Sequence, residues 1–204
     1  EGAGAAPDEN APLVELRDAA YSFGGEENAV GGLNITLRRG EILGVIGTTG
    51  SGKSTLAGLL VRFYRATSGQ VRIAGNDICD YTDEQLRSLV TLAPQKPLLF
   101  SGTVRGNLEM SGCSDVGKMT EALKMTRAWE FVSDKNGLDA EVTQKGNNFS
   151  GGEKQRISLA RAVLRNAPVL VLDDAASALD YVTEADVMKN IREASRGKAV
   201  INIS

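Results

Sequence analysis

Gly47-Thr48-Thr49-Gly50-Ser51-Gly52-Lys53-Ser54 fits G-x-x-x-x-G-K-[ST], and the rest of the chain is read outward from it. Ahead of it, Ile42-Leu43-Gly44-Val45-Ile46 has the length and composition of a buried parallel strand. Behind it, Thr55 to Tyr64 (TLAGLLVRFY) repeats leucine and alanine at helical spacing. Glycines at 47, 50 and 52 let the backbone curl until successive N–H groups face one anion. The helix starting near Lys53 adds its positive end at the same spot. Lys53 then supplies a cation for β- and γ-phosphates, and the Ser54 hydroxyl a ligand for magnesium. Thr48, Thr49, Ser51 and Thr55 complete the phosphate-binding set. A bland glycine-rich turn with a solvated lysine would not need strand, loop and helix in this order. The stretch implies a site for a nucleoside triphosphate.

The chain has 204 residues, enough for one large domain or a core with a subdomain. Its net charge of −3, with both signs interspersed, gives no electrostatic footprint for nucleic acid. Cys79 and Cys113 have neither metal-ligand spacing nor a disulfide framework, which fits a reduced, intracellular setting. No apolar run approaches the roughly 20 residues that span a bilayer. Histidine is absent, which removes imidazole ligands and histidine bases.

Residues 1–12 (EGAGAAPDENAP) are small and polar and read as a flexible linker or a cloning remnant. Leu13–Leu16, Ala19–Phe23 and Leu33–Leu37 read as short strands, with turns at Gly24-Gly25 and Arg39-Gly40. Val71–Gly75 is a further strand, and Thr82 with Gln85 makes a capping box that starts a helix. Leu89–Ala93 is strand-like and ends at Pro94-Gln95. From about Pro97 to Asn166 the pattern is mainly helical. Val169–Leu172 then forms a buried strand that ends in Asp173-Asp174. A helix near Val182–Ser195 leads to a last strand at Ala199–Ile203. The fold class expected is α/β: a parallel sheet, an antiparallel β subdomain on the N-terminal side and a helical insertion.

Asn148-Phe149-Ser150-Gly151-Gly152-Glu153-Lys154-Gln155-Arg156 is the second informative stretch. Ser150 and Glu153 form a capping box, and Ile157, Ala160, Val163 and Leu164 make one apolar face. Gly151 and Gly152 leave N–H groups open to an anion. Taken as structure alone, this is a well-capped helix.

With these motifs in order, residues 13–204 resemble the nucleotide-binding domain of an ABC (ATP-binding cassette) transporter. The glycine loop resembles its P-loop, the Ser150-Gly151-Gly152 helix start its signature, and VLVLDD its buried strand. Gln95, in LAPQKPLLFSGTVRGNL, resembles the Q-loop of exporters, and Ser177-Ala178-Leu179-Asp180 the D-loop. Phe23, about thirty residues before Lys53, matches the aromatic that stacks on adenine, with Tyr21 the alternative.

The resemblance implies two domains head to tail, with Mg-ATP between the P-loop of one and the signature of the other. Asp173, Ser54 and Gln95 would share the metal, Asp174 with Gln95 would act on the attacking water, and Ser150–Glu153 would meet the opposite chain's ATP. It further implies 13–94 and 167–204 as core, 95–166 as helical subdomain, and a site at the cytoplasmic face of a membrane through transmembrane domains of the same parent protein. Three departures stand out. Asp174 replaces the family's glutamate, Glu153 replaces its glutamine, and the sequence stops at Ser204 where a switch histidine would follow. The run LDDAASALD resembles one half of bacterial heterodimeric exporters, so the expected partner is a different subunit. The alternatives are a module that binds ATP with little turnover and a soluble, non-transport ATPase of the same family.

Overall fold

The computed structural model describes residues 2, 4–24 and 28–204; Gly25 of the expected Gly24-Gly25 turn lies outside them. Strands β1 (Val14–Tyr21) and β2 (Val30–Leu37) come first, and β3 (Ile42–Val45) precedes helix α1 (Lys53–Leu60). After β4 (Ser68–Ile73) and β5 (Asn76–Asp77), α2 (Asp83–Leu89) runs straight into β6 (Val90–Ala93). Next come β7 (Gly102–Thr103), α3 (Val104–Glu109), α4 (Val116–Met125), α5 (Trp129–Val132) and β8 (Glu141–Val142). The order ends with α6 (Gly151–Leu164), β9 (Val169–Asp173), α7 (Tyr181–Ala194) and β10 (Ala199–Ile203).

These elements form two compact units. One comprises Glu1–Leu92, Ala167–Asp173 and Gly197–Ser204, the other Ala93–Asn166 and Asp174–Arg196. Residues 174–196 therefore pack with the helical part, not with the core to which the resemblance assigns them.

The first unit holds an antiparallel sheet in the order β2-β1-β4-β5, and a second sheet in the order β3-β10-β9-β6. Strand β10 runs parallel to both β3 and β9. All five residues of β9 are buried, as expected for a parallel strand covered on both faces. The strand before the glycine loop is parallel too, but it lies at the sheet's edge, and Ile42 is 47% exposed rather than buried. Leu16, Leu59, Leu60, Ile73, Val171 and Ile201 belong to one core with the fully buried Tyr81.

Two sequence expectations change here. Leu13–Leu16 and Ala19–Phe23 are not separate strands: β1 is continuous through a bulge, where the register passes from Leu16↔Ile35 to Ala19↔Leu33. Asp18 sits there at φ 46°, its amide donating to Asn34 Oδ1 at 3.0 Å, so the polar pair Arg17-Asp18 marks an extra residue within one strand. Nor is the N-terminal stretch a free linker. The Gly4 amide donates to the Asp80 carbonyl (3.1 Å) and that of Asp8 to the Ala74 carbonyl (2.9 Å). Asn76 Nδ2 reaches the Ala6 carbonyl (2.7 Å), and Gln85 Nε2 that of Ala5 (3.2 Å). All four bonds use main-chain groups of the N-terminal stretch, which leave no trace in composition.

The second unit packs Leu108, Met119, Leu123, Val132 and Ile157 into its own core. Helix α6 lies against both α3 and α4. Its buried stripe is accordingly wider than one face: Leu159 and Ala162 join Ile157 and Ala160, with Gln155 and Ser158, while Val163 and Leu164 are half-buried. Both expected capping boxes form, Thr82 with Gln85 on α2 and Ser150 with Glu153 on α6.

Candidate functional site

The glycine loop leads from β3 into α1, whose N-cap is Gly52, at φ 88° and without a side-chain cap. Its first turn holds no acidic residue. The first-turn N–H groups and the helix dipole are thus directed at the loop with no carboxylate competing for them. Gly50, at φ 85°, supplies a second left-handed turn. Lys53 Nζ donates to the carbonyls of Gly47 and of Thr48, the latter at 3.1 Å, and the Ser51 amide donates to Thr48. Thr55 is buried beneath the loop, whereas Ser51 and Ser54 are exposed.

Ser54 Oγ donates to Asp173 Oδ1 at 3.4 Å. Asp173, the last residue of β9, is only 9% exposed. A hydroxyl and a buried carboxylate facing each other beside a phosphate loop are hard oxygen donors. Magnesium uses one or two protein oxygens of this kind and fills its other positions with water and phosphate. The donor set fits that ion.

Phe23, 66% exposed, is held at the edge of two tyrosines. Its ring meets Tyr21 at 4.9 Å and Tyr64 at 5.5 Å, both edge-on, while Tyr21 and Tyr64 stack at 4.8 Å. The Ala29 amide donates to the Tyr21 carbonyl (2.8 Å), and the Ala29 carbonyl lies against Gly52. The strand end that bears the aromatic cluster is thereby tied to the phosphate loop.

In the second unit, Gln95 Nε2 donates to Asp174 Oδ2 at 3.2 Å. Asp174 sits at φ 47°, a conformation that L-residues adopt at some cost and that occurs often at functional turns. Ser150 caps α6: its Oγ accepts from the Glu153 amide (3.2 Å), and Glu153 Oε2 accepts from the Ser150 amide (2.7 Å). The Glu153 carboxylate is thus already engaged at the helix end. A Cβ on Gly152 would lie 3.0 Å from the Ala178 carbonyl oxygen, tight enough that the neighbour would have to give by a few tenths of an ångström, while Gly151 has more room. Burial lowers the pKa of the Arg161 guanidinium below its usual value. In the first unit burial raises the Cys79 thiol, and the neighbouring Asp77 adds to the rise.

Two residues escaped the sequence reading. Tyr64 ends a helical pattern and looks like packing, yet it is the stacked partner of the cluster that presents Phe23. Gln155 lies in the second motif without an assigned role and is nearly fully buried, with both ends of its amide bonded. The signal available was a polar residue on the inward stripe of a helix.

Comparison with known proteins gives these features a family. A family model described as ABC transporter matches residues 30–177. An uncharacterized ABC transporter ATP-binding protein of Mycobacterium tuberculosis (strain ATCC 25618 / H37Rv) is 41% identical over 197 residues, covering 94% of this chain and 34% of that protein. An ATP-dependent lipid A-core flippase of Syntrophus aciditrophicus (strain SB) is 36% identical over 194 residues, covering 94% of this chain and 32% of the flippase. The solved structure of a bacterial Atm1-family ABC exporter with ATP bound matches 100% of this chain and 37% of its own, with a TM-score of 0.91 and 32% identity. The chain thus spans about a third of the length of these relatives. With the loop, the buried carboxylate strand and the capped glycine helix all inside regions of such likeness, the chain belongs to the ABC transporter family, as its ATP-binding module.

Proposed function

We propose that this chain powers an exporter by binding and hydrolysing Mg-ATP on the cytoplasmic face of a membrane. The contact between Ser54 and Asp173 supports this reading most directly, because it sets two magnesium-type oxygens beside a loop built for phosphate. Residues 47–55 hold the phosphates, with Lys53 turning from the loop carbonyls to the β- and γ-phosphates, and Phe23 stacks on adenine. Ser54 and Asp173, with Gln95, would hold magnesium, which would supply positive charge to the phosphates. Asp174 accepts a proton from the attacking water, and Gln95 orients it. Ser150, Gly151 and Gly152, with Glu153 behind them, receive the γ-phosphate of an ATP held by a second nucleotide-binding domain. Transmembrane domains of the same parent protein, in the two thirds of length that the relatives have beyond this region, carry the cargo.

Asp174 favours a slow site and hence a partner that differs from this chain. An aspartate is one carbon–carbon bond shorter than a glutamate, withdrawing its carboxylate by about 1.5 Å. A base out of line with its water forfeits roughly 10²–10⁴ in rate. Binding does not depend on it. Titration of ATP with and without magnesium, on the wild type and on Asp173→Asn, tests the metal assignment. The wild type should bind more tightly with magnesium, and the variant should lose that difference. An undiminished magnesium effect in the variant would remove Asp173 from the site. A fully active homodimer of the parent protein would remove the unlike partner.

A further inference from the structure

Gln155 is the fifth residue of α6 and is 3% exposed. Its side-chain amide is bonded in three directions. The oxygen accepts from the Ala178 amide at 2.8 Å. The nitrogen donates to the Gln95 carbonyl and to Ser177 Oγ, each at 3.2 Å. Both of its donors and its acceptor are therefore used.

The partners close a ring. Gln95 Nε2 runs on to Asp174 Oδ2 (3.2 Å), and the Ser177 amide donates to the Asp174 carbonyl (3.2 Å). Starting from Gln155, one path reaches Asp174 through Gln95 and the other through Ser177. The side chain of Asp174 is held on one path and its main chain on the other. A residue at φ 47° keeps that conformation only where its surroundings over-determine it, and these two paths do so.

We infer that Gln155 is a positioning residue: it fixes the segments bearing Gln95 and Asp174 to helix α6, and through them sets the rate of hydrolysis at this chain's site without itself touching nucleotide. This rests on the proposed roles of Gln95 and Asp174. The helix that holds the ring begins at Ser150-Gly151-Gly152, about 7 Å of helical rise before Gln155. Gly152 also packs against the Ala178 carbonyl, so the first turn of α6 and Gln155 grip one segment, 177–179.

Two substitutions separate the bonds. Gln155→Met keeps length and volume and removes all three. Gln155→Glu keeps the acceptor for Ala178 and removes both donors. In the full-length protein, with turnover read at this chain's own site and any partner site silenced by substitution, both should lower kcat at least tenfold and by clearly more than they weaken the affinity for Mg-ATP. Neither should lower kcat further when Asp174→Asn is already present, because the ring then has no base left to position. Amide exchange at Ala178 should speed at least tenfold in the Met variant and stay near wild type in the Glu variant, a pattern that general loosening does not produce. Turnover within twofold of wild type, a parallel loss of affinity and turnover, or equal exchange in the two variants would each overturn the inference. A wild type that binds Mg-ATP but never hydrolyses it fails differently, since it removes the roles of Gln95 and Asp174 themselves.

Discussion

Replacing Gly52 with alanine tests the shape of the phosphate loop, and the cost can be built from two parts. The first is conformational. Gly52 sits at φ 88°, where a Cβ costs about 1–2 kcal/mol. The second is crowding. That Cβ would lie 2.3 Å from Val30 Cγ1 and 2.4 Å from the Ala29 carbonyl oxygen. The valine methyl can rotate away, but the carbonyl is main chain, so the loop or the start of β2 must move. Forced repacking of this kind costs about 1–3 kcal/mol. Together the loss is about 2–5 kcal/mol, against a total stability of about 5–15 kcal/mol for a typical domain. Gly50 is the internal control. Its φ is 85°, yet a Cβ there meets nothing within 4 Å, so Gly50→Ala should lose only the conformational part. The movement of Ala29 also reaches Tyr21 through their 2.8 Å hydrogen bond, so Gly52→Ala should weaken ATP binding beyond the effect at Gly50. Urea unfolding followed by far-UV circular dichroism reads the stabilities, and calorimetric titration reads the affinities. If the two variants lose the same stability within about 0.5 kcal/mol, the close approach of Ala29 to the loop is wrong.

Lys53→Ala should weaken ATP affinity at least tenfold, about 1.4 kcal/mol, and an unchanged calorimetric Kd would remove the phosphate assignment. Phe23→Ala should cost about 1–3 kcal/mol of binding, the worth of one base stacked on an aromatic ring. Tyr64→Ala, which leaves Phe23 but removes its support, should cost less, and a larger loss at Tyr64 would exchange their roles. Asp180 caps α7 by accepting the Thr183 amide, and those bonds lower its pKa from the ordinary carboxylate value. Because the folded value is the lower one, its contribution is complete above about pH 4 and is lost as pH falls through the folded pKa. Asp180→Asn should therefore flatten the acid limb of thermal stability below about pH 4; an unaltered limb would show that this cap does not titrate.

The parts of this chain that were legible in its sequence are those decided by neighbours along the backbone. The glycine loop needs left-handed residues at fixed spacing, and both capping boxes span only three residues, so each is written locally. Strand β9 was equally plain, because burial on both faces demands five apolar or terminal residues in a row. What was hidden depends on partners far along the chain. Nothing in EGAGAAPDENAP announces that main-chain groups near Ala74 and Asp80 will tie it down. Gln155 reads as one more polar residue near a helix start until Ser177 and Ala178 arrive beside it, more than twenty residues later. The edge position of β3 was hidden for the same reason, since an apolar run is the same whether one neighbour strand or two lie beside it.

Asp173 and Asp174 share a peptide bond and differ in nearly everything else. Asp173 ends a strand, is almost fully buried and accepts a hydrogen bond from Ser54. Asp174 turns left-handed, is half-buried and accepts one from Gln95. Aspartate and asparagine are several-fold enriched in the left-handed region, where longer side chains are less at home. An aspartate at 174 therefore suits the turn while shortening the reach toward water by about 1.5 Å. On the proposed reading these two effects oppose each other: one favours a well-held loop and the other a slower base. The balance is tolerable only where the loop's shape matters more than this site's own rate. The proposed pairing with a second nucleotide-binding domain would meet that condition, and Gln155 holds α6 and the segment 177–179 together with the Asp174 loop. If the proposed roles hold, Asp174→Glu should speed hydrolysis at this chain's own site while leaving the left-handed turn less favourable, and an unchanged rate would separate the turn from the base.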